Sequence, residues 1–218
     1  MLYVVATPIG DVHEISQRAL QVLQESPLII CESTKEASKL LRAHGISGKQ
    51  YEVLDEHSKS DDLERLVKLC QEQTVALVSD CGTPGFCDPG ADLVRLCRQK
   101  GIATKSVLGP SALMGLLSLS GRRLDRFVFR GFLPAENEAR RKAWSELKNE
   151  KQAIILMDTP YRFKKMMQEL GENLPQRQAL VVMNLSQETE KLIEGTGQQV
   201  ARSAPDEKAE FMLLVYPG

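Results

Sequence analysis

The chain has 218 residues, 42% of them hydrophobic and 26% charged, with a net charge of −1 at pH 7. This is the composition of a globular chain able to bury a sizeable core, as one large domain or two small ones. It excludes the general basic excess of a dedicated nucleic-acid binder, so any basic footprint is local, and no apolar run approaches the ~20 residues of a membrane span.

Leu2 to Ala6 reads as a buried strand, too short and lacking the basic start needed for a signal peptide. Thr7-Pro8-Ile9-Gly10-Asp11 leaves it as a loop, and Ile15, Ala19, Val22 and Leu23 fall on one face of the helix that follows. Leu28 to Cys31 is a second buried strand, ending in Glu32; Ser33 and Glu36 have capping-box spacing for the next helix. A third strand covers Tyr51 to Leu54 and ends in Asp55-Glu56-His57. The helix carrying Leu63, Leu66, Val67 and Cys70 then delivers the chain to Val75-Ala76-Leu77-Val78, a run fit for a strand buried on both faces.

The loop after that strand, Ser79 to Gly90, holds three of its glycines at Gly82, Gly85 and Gly90, two prolines and two aspartates. Glycine admits a ligand close to the backbone and proline fixes loop shape, so this is a candidate binding loop at the carboxyl end of a strand. Asp88-Pro89 has the form of an N-cap followed by proline at the first helical position, and Gly101 suits the C-terminal cap of that helix. Ile102 to Leu108 is a further strand, and Gly109-Pro110-Ser111-Ala112 leads into an apolar helix through Leu119. Strand–helix alternation with polar residues after each strand predicts an α/β fold with a parallel sheet, and it sets three loops on one rim.

The character changes near Gly121, so domains are expected over 1–121 and 122–218. In the second, Arg122, Arg123, Arg126 and Arg130 interleave with Phe127, Phe129 and Phe132, and a charged helix is expected from Glu136 to Lys148. Ala153 to Met157, Ala179 to Met183 and Phe211 to Val215 read as strands, Tyr161 to Leu170 as a helix, and Gly195-Thr196-Gly197 as a hairpin tip. The Arg140-Arg141-Lys142 run reads as a solvated helix face or a local basic contact. Five cysteines without a C-x-x-C pair, and no export signal, suit reduced thiols in a cytoplasm; His13, His44 and His57 lack the spacing of a zinc site.

Neither G-x-G-x-x-G nor G-x-x-x-x-G-K-[ST] occurs at a strand end. Thr7-Pro8-Ile9-Gly10, Cys31-Glu32, Val78 to Gly85, Asp88-Pro89-Gly90, Gly109 to Ala112, Asp125-Arg126-Phe127 and Gly131 to Pro134 together resemble, in order and spacing, the ribosomal RNA small-subunit methyltransferase I family of the tetrapyrrole methylase superfamily. The resemblance spans nearly the whole chain. It implies an N-terminal parallel sheet flanked by helices, a C-terminal mixed-sheet α/β domain, S-adenosylmethionine in the cleft between them, and a cytoplasmic homodimer. It carries cofactor contacts to Pro8, Ile9, Gly10, Asp80, Gly82, Thr83, Pro84, Phe86, Ser111, Ala112 and Met157. The implied reaction is methylation of a cytidine ribose 2′-hydroxyl in small-subunit rRNA. Glu32, Asp80 and Asp88 are candidates for the base such a hydroxyl gains from.

The acceptor half departs from the family pattern. T-P-I-G-N-L-G-D-I appears with Asp11, His13 and Glu14 substituted, and C-E-D-T-R becomes Cys31-Glu32-Ser33-Thr34-Lys35. E-S-P-H-R becomes Asp158-Thr159-Pro160-Tyr161-Arg162, and R-E-L-T-K becomes Met183 to Gln187, without its two cations. The sequence stops at Gly218, short of the extra C-terminal module of longer members. Alternatives are therefore a paralogue with a small-molecule or tetrapyrrole-like acceptor, and a non-catalytic S-adenosylmethionine-binding protein.

Overall fold

A computed structural model describes residues 1–218. They divide into two compact units, Met1–Ser111 and Ala112–Gly218. The first holds five parallel strands, β1 (Leu2–Val5), β2 (Leu28–Cys31), β3 (Gln50–Val53), β4 (Val75–Leu77) and β5 (Thr104–Val107), in the order β3-β2-β4-β1-β5. Side chains alternate along each strand, and the helices sort accordingly. α1 (Gln17–Glu25) and α2 (Thr34–Ala43) bury Ala19, Val22, Leu23, Ala37 and Leu41 with Ile29 and Cys31. α3 (Ser60–Glu72) and α4 (Ala91–Gln99) bury Leu66, Cys70, Leu93 and Cys97 with Leu28, Ile30 and Leu77 on the other face.

From β1 the chain steps one way to β2 and β3, then back through β4 to β5. Right-handed crossovers put the two pairs of helices on opposite faces. Strands whose connections leave to opposite faces open a crevice at their carboxyl ends, here among β2, β4 and β1.

One local expectation is corrected in this unit. Asp88 does not cap α4: the helix starts at Ala91, Gly90 is the N-cap at φ 127°, and no side chain caps it. A Cβ at Gly90 would lie 2.8 Å from the Leu77 side chain, so the entry to α4 needs glycine both for conformation and for space. Ser33 does cap α2, accepting from the Glu36 amide at 3.3 Å, and Gly101 follows α4 at φ 69°.

The second unit begins with α5 (Ala112–Leu119), earlier than the break expected after Gly121. Leu116 of α5 packs with Leu214 and Tyr216, and the Tyr216 hydroxyl donates to the Ser120 carbonyl at 2.7 Å, which fixes the helix to this unit. Its sheet runs β6 (Phe127–Gly131), β7 (Ala153–Asp158), β10 (Phe211–Val215), β8 (Gln178–Met183), β9 (Lys191–Thr196). Only the β6–β7 pair is parallel, so the sheet is mixed. α6 (Asn137–Lys148), α7 (Phe163–Asn173) and α8 (Gly197–Ser203) cover the face opposite α5. Gly195-Thr196-Gly197 is not a hairpin tip. β9 ends there, and Thr196 caps α8 in a reciprocal box with Gln199.

Candidate functional site

Hydrogen bonds tie the three predicted loops of the first unit into one rim. The Thr7 amide donates to the Gly82 carbonyl at 2.8 Å and the Gly82 amide returns the bond at 3.1 Å, so the loops after β1 and β4 continue the sheet by one pair. The Thr7 hydroxyl, fully buried, lies 3.2 Å from the Ser79 carbonyl and 3.3 Å from that of Gly82. Thr83 Oγ1 donates to the Pro110 carbonyl at 3.1 Å, joining the central loop to the segment leading to Ser111. Gly109 belongs to the same junction, since a Cβ there would sit 3.0 Å from that of Ala6. Gly82 and Gly85 hold φ of 78° and 82°, which L side chains rarely adopt.

Around this polar frame stand apolar side chains. Pro8 is buried, Ile9 half-buried, Gly10 exposed and Pro84 buried. Phe86 is 52% exposed and Leu108 81% exposed, a large apolar residue that the pattern alone assigned to the end of a strand. Exposed apolar groups beside constrained backbone amides and carbonyls are the lining a nucleoside takes.

Glu32, Asp80 and Asp88 meet at the ends of β2 and β4. The Ser33 amide donates to Asp80 Oδ1 at 3.2 Å, across neighbouring strands. A cavity of about 430 Å3 beside them is lined by Glu32, Asp55, Glu56, Cys87 and Asp88 among others. Burial pushes the Glu32 pKa up, and the Asp80, Asp88, Glu56 and Asp55 carboxylates push it further. Burial likewise raises Asp80, against the Ser33 amide, and Asp88, against a hydrogen bond from Ser79. A carboxylate raised this way is better matched to accepting a proton near neutrality. The sequence marked Ser33 only as a cap and Ser79 only as the start of a loop; their bonds to Asp80 and Asp88 come from strand adjacency for Ser33 and from the fold of the loop itself for Ser79.

In the second unit Ala112 starts α5, and Met157 lies half-buried near the carboxyl end of β7 in the cluster on the α5 side. Arg140 is no solvated charge. It is 1% exposed, and its Nη1 donates to Asp158 Oδ2 at 3.1 Å while Nε meets Glu169 at 2.8 Å. Cys81 and Cys87 are exposed and form no disulfide, and no helix is long and apolar enough to cross a membrane.

Against known proteins, the family model for Tetrapyrrole (Corrin/Porphyrin) Methylases matches residues 1–201. The chain is 38% identical over 221 residues to ribosomal RNA small subunit methyltransferase I of Neisseria meningitidis serogroup B, covering 99% of this chain and 76% of that one. It is 36% identical to the protein of that name from Escherichia coli O157:H7, at 98% and 77% coverage. For the one from Leptospira biflexa the identity is 35%, at 99% and 90% coverage. Among solved structures, diphthine synthase superposes with a TM-score of 0.77 at 14% identity, covering 99% of this chain and 89% of that one. Uroporphyrin-III C-methyl transferase from Thermus thermophilus, complexed with S-adenyl homocysteine, gives 0.67 at 15%, with 99% and 96% covered. At such identities the structures show a shared fold.

Proposed function

This chain belongs to the tetrapyrrole (corrin/porphyrin) methylases, in the ribosomal RNA small subunit methyltransferase I family, and from that premise we propose that it methylates the 2′-hydroxyl of a cytidine in small-subunit ribosomal RNA, using S-adenosylmethionine. The observation that carries the reading is the 35–38% identity to relatives of that name over 98% or more of the chain. The homodimer and the cytoplasmic location implied by the family are part of the same proposal, and sedimentation equilibrium tests the first.

The donor set suits the cofactor. The Thr7 and Gly82 amides and carbonyls bond to each other, which fixes the flanking Pro8-Ile9-Gly10 and Thr83-Pro84-Gly85 backbone for ribose and carboxylate groups, and Ile9, Pro84 and Phe86 offer cover for an adenine. Ser111 extends this rim; Ala112 and Met157, in the second unit, take the same role from the family pattern. When bound, S-adenosylmethionine supplies an electrophilic methyl group whose leaving group is a neutral thioether. With so good a leaving group, positioning by the rim supplies much of the rate. Glu32 is assigned as the base that takes the hydroxyl proton. Desolvation holds its pKa up, Asp80 and Asp88 add to this as charged neighbours, and their combined charge favours a sulfonium nearby.

Mapping ribose methylation in rRNA from cells with and without the gene tests the acceptor: one cytidine 2′-O-methyl group is lost with the gene. An unchanged map refutes the acceptor. Calorimetry with S-adenosylhomocysteine tests the cofactor separately, and absence of uptake by the pure protein refutes that part.

A further inference from the structure

At the edge of the second sheet where β6, β7 and β8 end and β10 begins, two aromatic rings stand in solvent. Tyr161, in the 3₁₀ turn after β7, is 78% exposed, and Phe132, just past β6, is 44% exposed. The Lys208 ammonium lies 4.2 Å from the Tyr161 ring centroid. Lys208 arrives there because it precedes β10, whose Phe211 pairs with Asp158 at the end of β7.

The backbone beneath is held from several directions. Arg140 Nη1 donates to the Leu133 and Pro134 carbonyls as well as to Asp158, so one buried guanidinium joins the segment after β6 to the turn after β7. Asp158 Oδ1 also accepts from the Thr159 amide at 2.9 Å and from Arg162 at 3.3 Å, and Pro160 opens the turn with a fixed φ. A ring on such a support loses little entropy when a planar group lands on it. Lys208 and Arg162 are the cations beside it. Of the nearby carboxylates, Asp158 is satisfied by arginines, Asp206 is paired with Lys164 at 2.6 Å and Glu210 accepts from the Gln187 side-chain amide at 3.0 Å, while Glu207 is exposed.

We propose that Tyr161, backed by Lys208, is a stacking platform for an unpaired base of the RNA acceptor. The inference rests on the acceptor reading above. A single-stranded site combines an aromatic face, indifferent to base identity, with cations for the backbone, and both are present at this edge. Tyr161 thus acts in holding acceptor RNA, with no part in the methyl transfer itself.

The test uses the full chain, purified small-subunit rRNA and a labelled oligocytidylate, read by fluorescence anisotropy. Tyr161→Ala weakens RNA binding by roughly 5- to 100-fold, whereas Tyr161→Phe, which keeps the ring, stays within about twofold of wild type. Lys208→Gln reduces the slope of log affinity against log salt by about 0.7. S-adenosylhomocysteine affinity and Tm are unchanged in all three. Wild-type RNA affinity in Tyr161→Ala, or equal losses in the Ala and Phe variants, overturns the platform and leaves the acceptor reading intact. A wild-type protein that binds neither RNA overturns both together.

Discussion

Removing Arg140 is the sharpest test of what holds the second unit together. In Arg140→Ala, Glu169 loses bonds of 2.8 and 2.9 Å and keeps only the Trp144 indole N–H, at 3.0 Å. Asp158, whose side chain is fully buried, loses its 3.1 Å partner and keeps the half-exposed Arg162 and one amide. Breaking a buried pair by deleting one partner costs about 3–5 kcal/mol, because a charge is left in low dielectric without its counterpart. Against a total of roughly 5–15 kcal/mol for a domain, that is a large fraction. It corresponds to a fall in Tm of about 10–20 °C for a unit of this size. Urea unfolding followed by Trp144 fluorescence reports the change directly, since Trp144 is the sole tryptophan and touches the network. In an Asp158→Asn background the same substitution costs less, because the stranded group is now neutral, and the coupling between the two changes is about 0.5–3 kcal/mol. A loss below ~1 kcal/mol for Arg140→Ala, or strict additivity in the cycle, refutes the reasoning.

Glu32→Gln lowers kcat by roughly 10²- to 10⁴-fold and removes the acidic limb of the pH–rate profile, with cofactor affinity unchanged. Because desolvation and then the neighbouring carboxylates raise the folded-state pKa of Glu32, its charge costs stability at neutral pH and that cost is relieved as pH falls through the raised value. The variant is therefore slightly more stable than wild type at pH 7, and the gain disappears in acid; a gain that grows in acid contradicts the sign. Thr7→Val, nearly isosteric, leaves the Ser79 carbonyl without its hydroxyl donor and costs about 1–2 kcal/mol in urea unfolding, with weaker S-adenosylhomocysteine uptake by calorimetry. Thr83→Trp, at an exposed point of the rim, abolishes that uptake while shifting Tm by less than about 2 °C; retained uptake removes this loop from the cofactor site.

Much of the fold was legible because strands such as Leu28 to Cys31 and helices such as Gln17–Glu25 carry their periodicity locally. Arg140 was not, since a guanidinium one turn into a charged helix looks like its exposed neighbours until Asp158 and Glu169 arrive from β7 and α7. Thr196 misled for a different reason: flanking glycines suggest a turn, yet the same residues form the box with Gln199 that starts α8. Asp88-Pro89 had the right chemistry for a cap, but the chain turns once more through Gly90 before the helix begins.

The loops of the candidate site were legible one by one, and their relation to the acids was not. That relation comes from strand order, which no local pattern encodes. Because β4 lies between β1 and β2, a single loop borders both neighbours. Its Gly82 end pairs with Thr7 and its Asp80 end accepts the Ser33 amide, 47 residues away in sequence. The segment assigned to holding the methyl donor is therefore the same segment that sets the charge beside Glu32. In a site so built, a substitution that shifts the central loop moves donor affinity and the pH–rate profile together, whereas one confined to Glu32 moves the profile alone. Two independent sites sharing a surface have no reason to behave this way. Joint movement of both readouts in Thr7→Val, against movement of the profile alone in Glu32→Gln, consequently tests whether the rim and the acids form one catalytic unit.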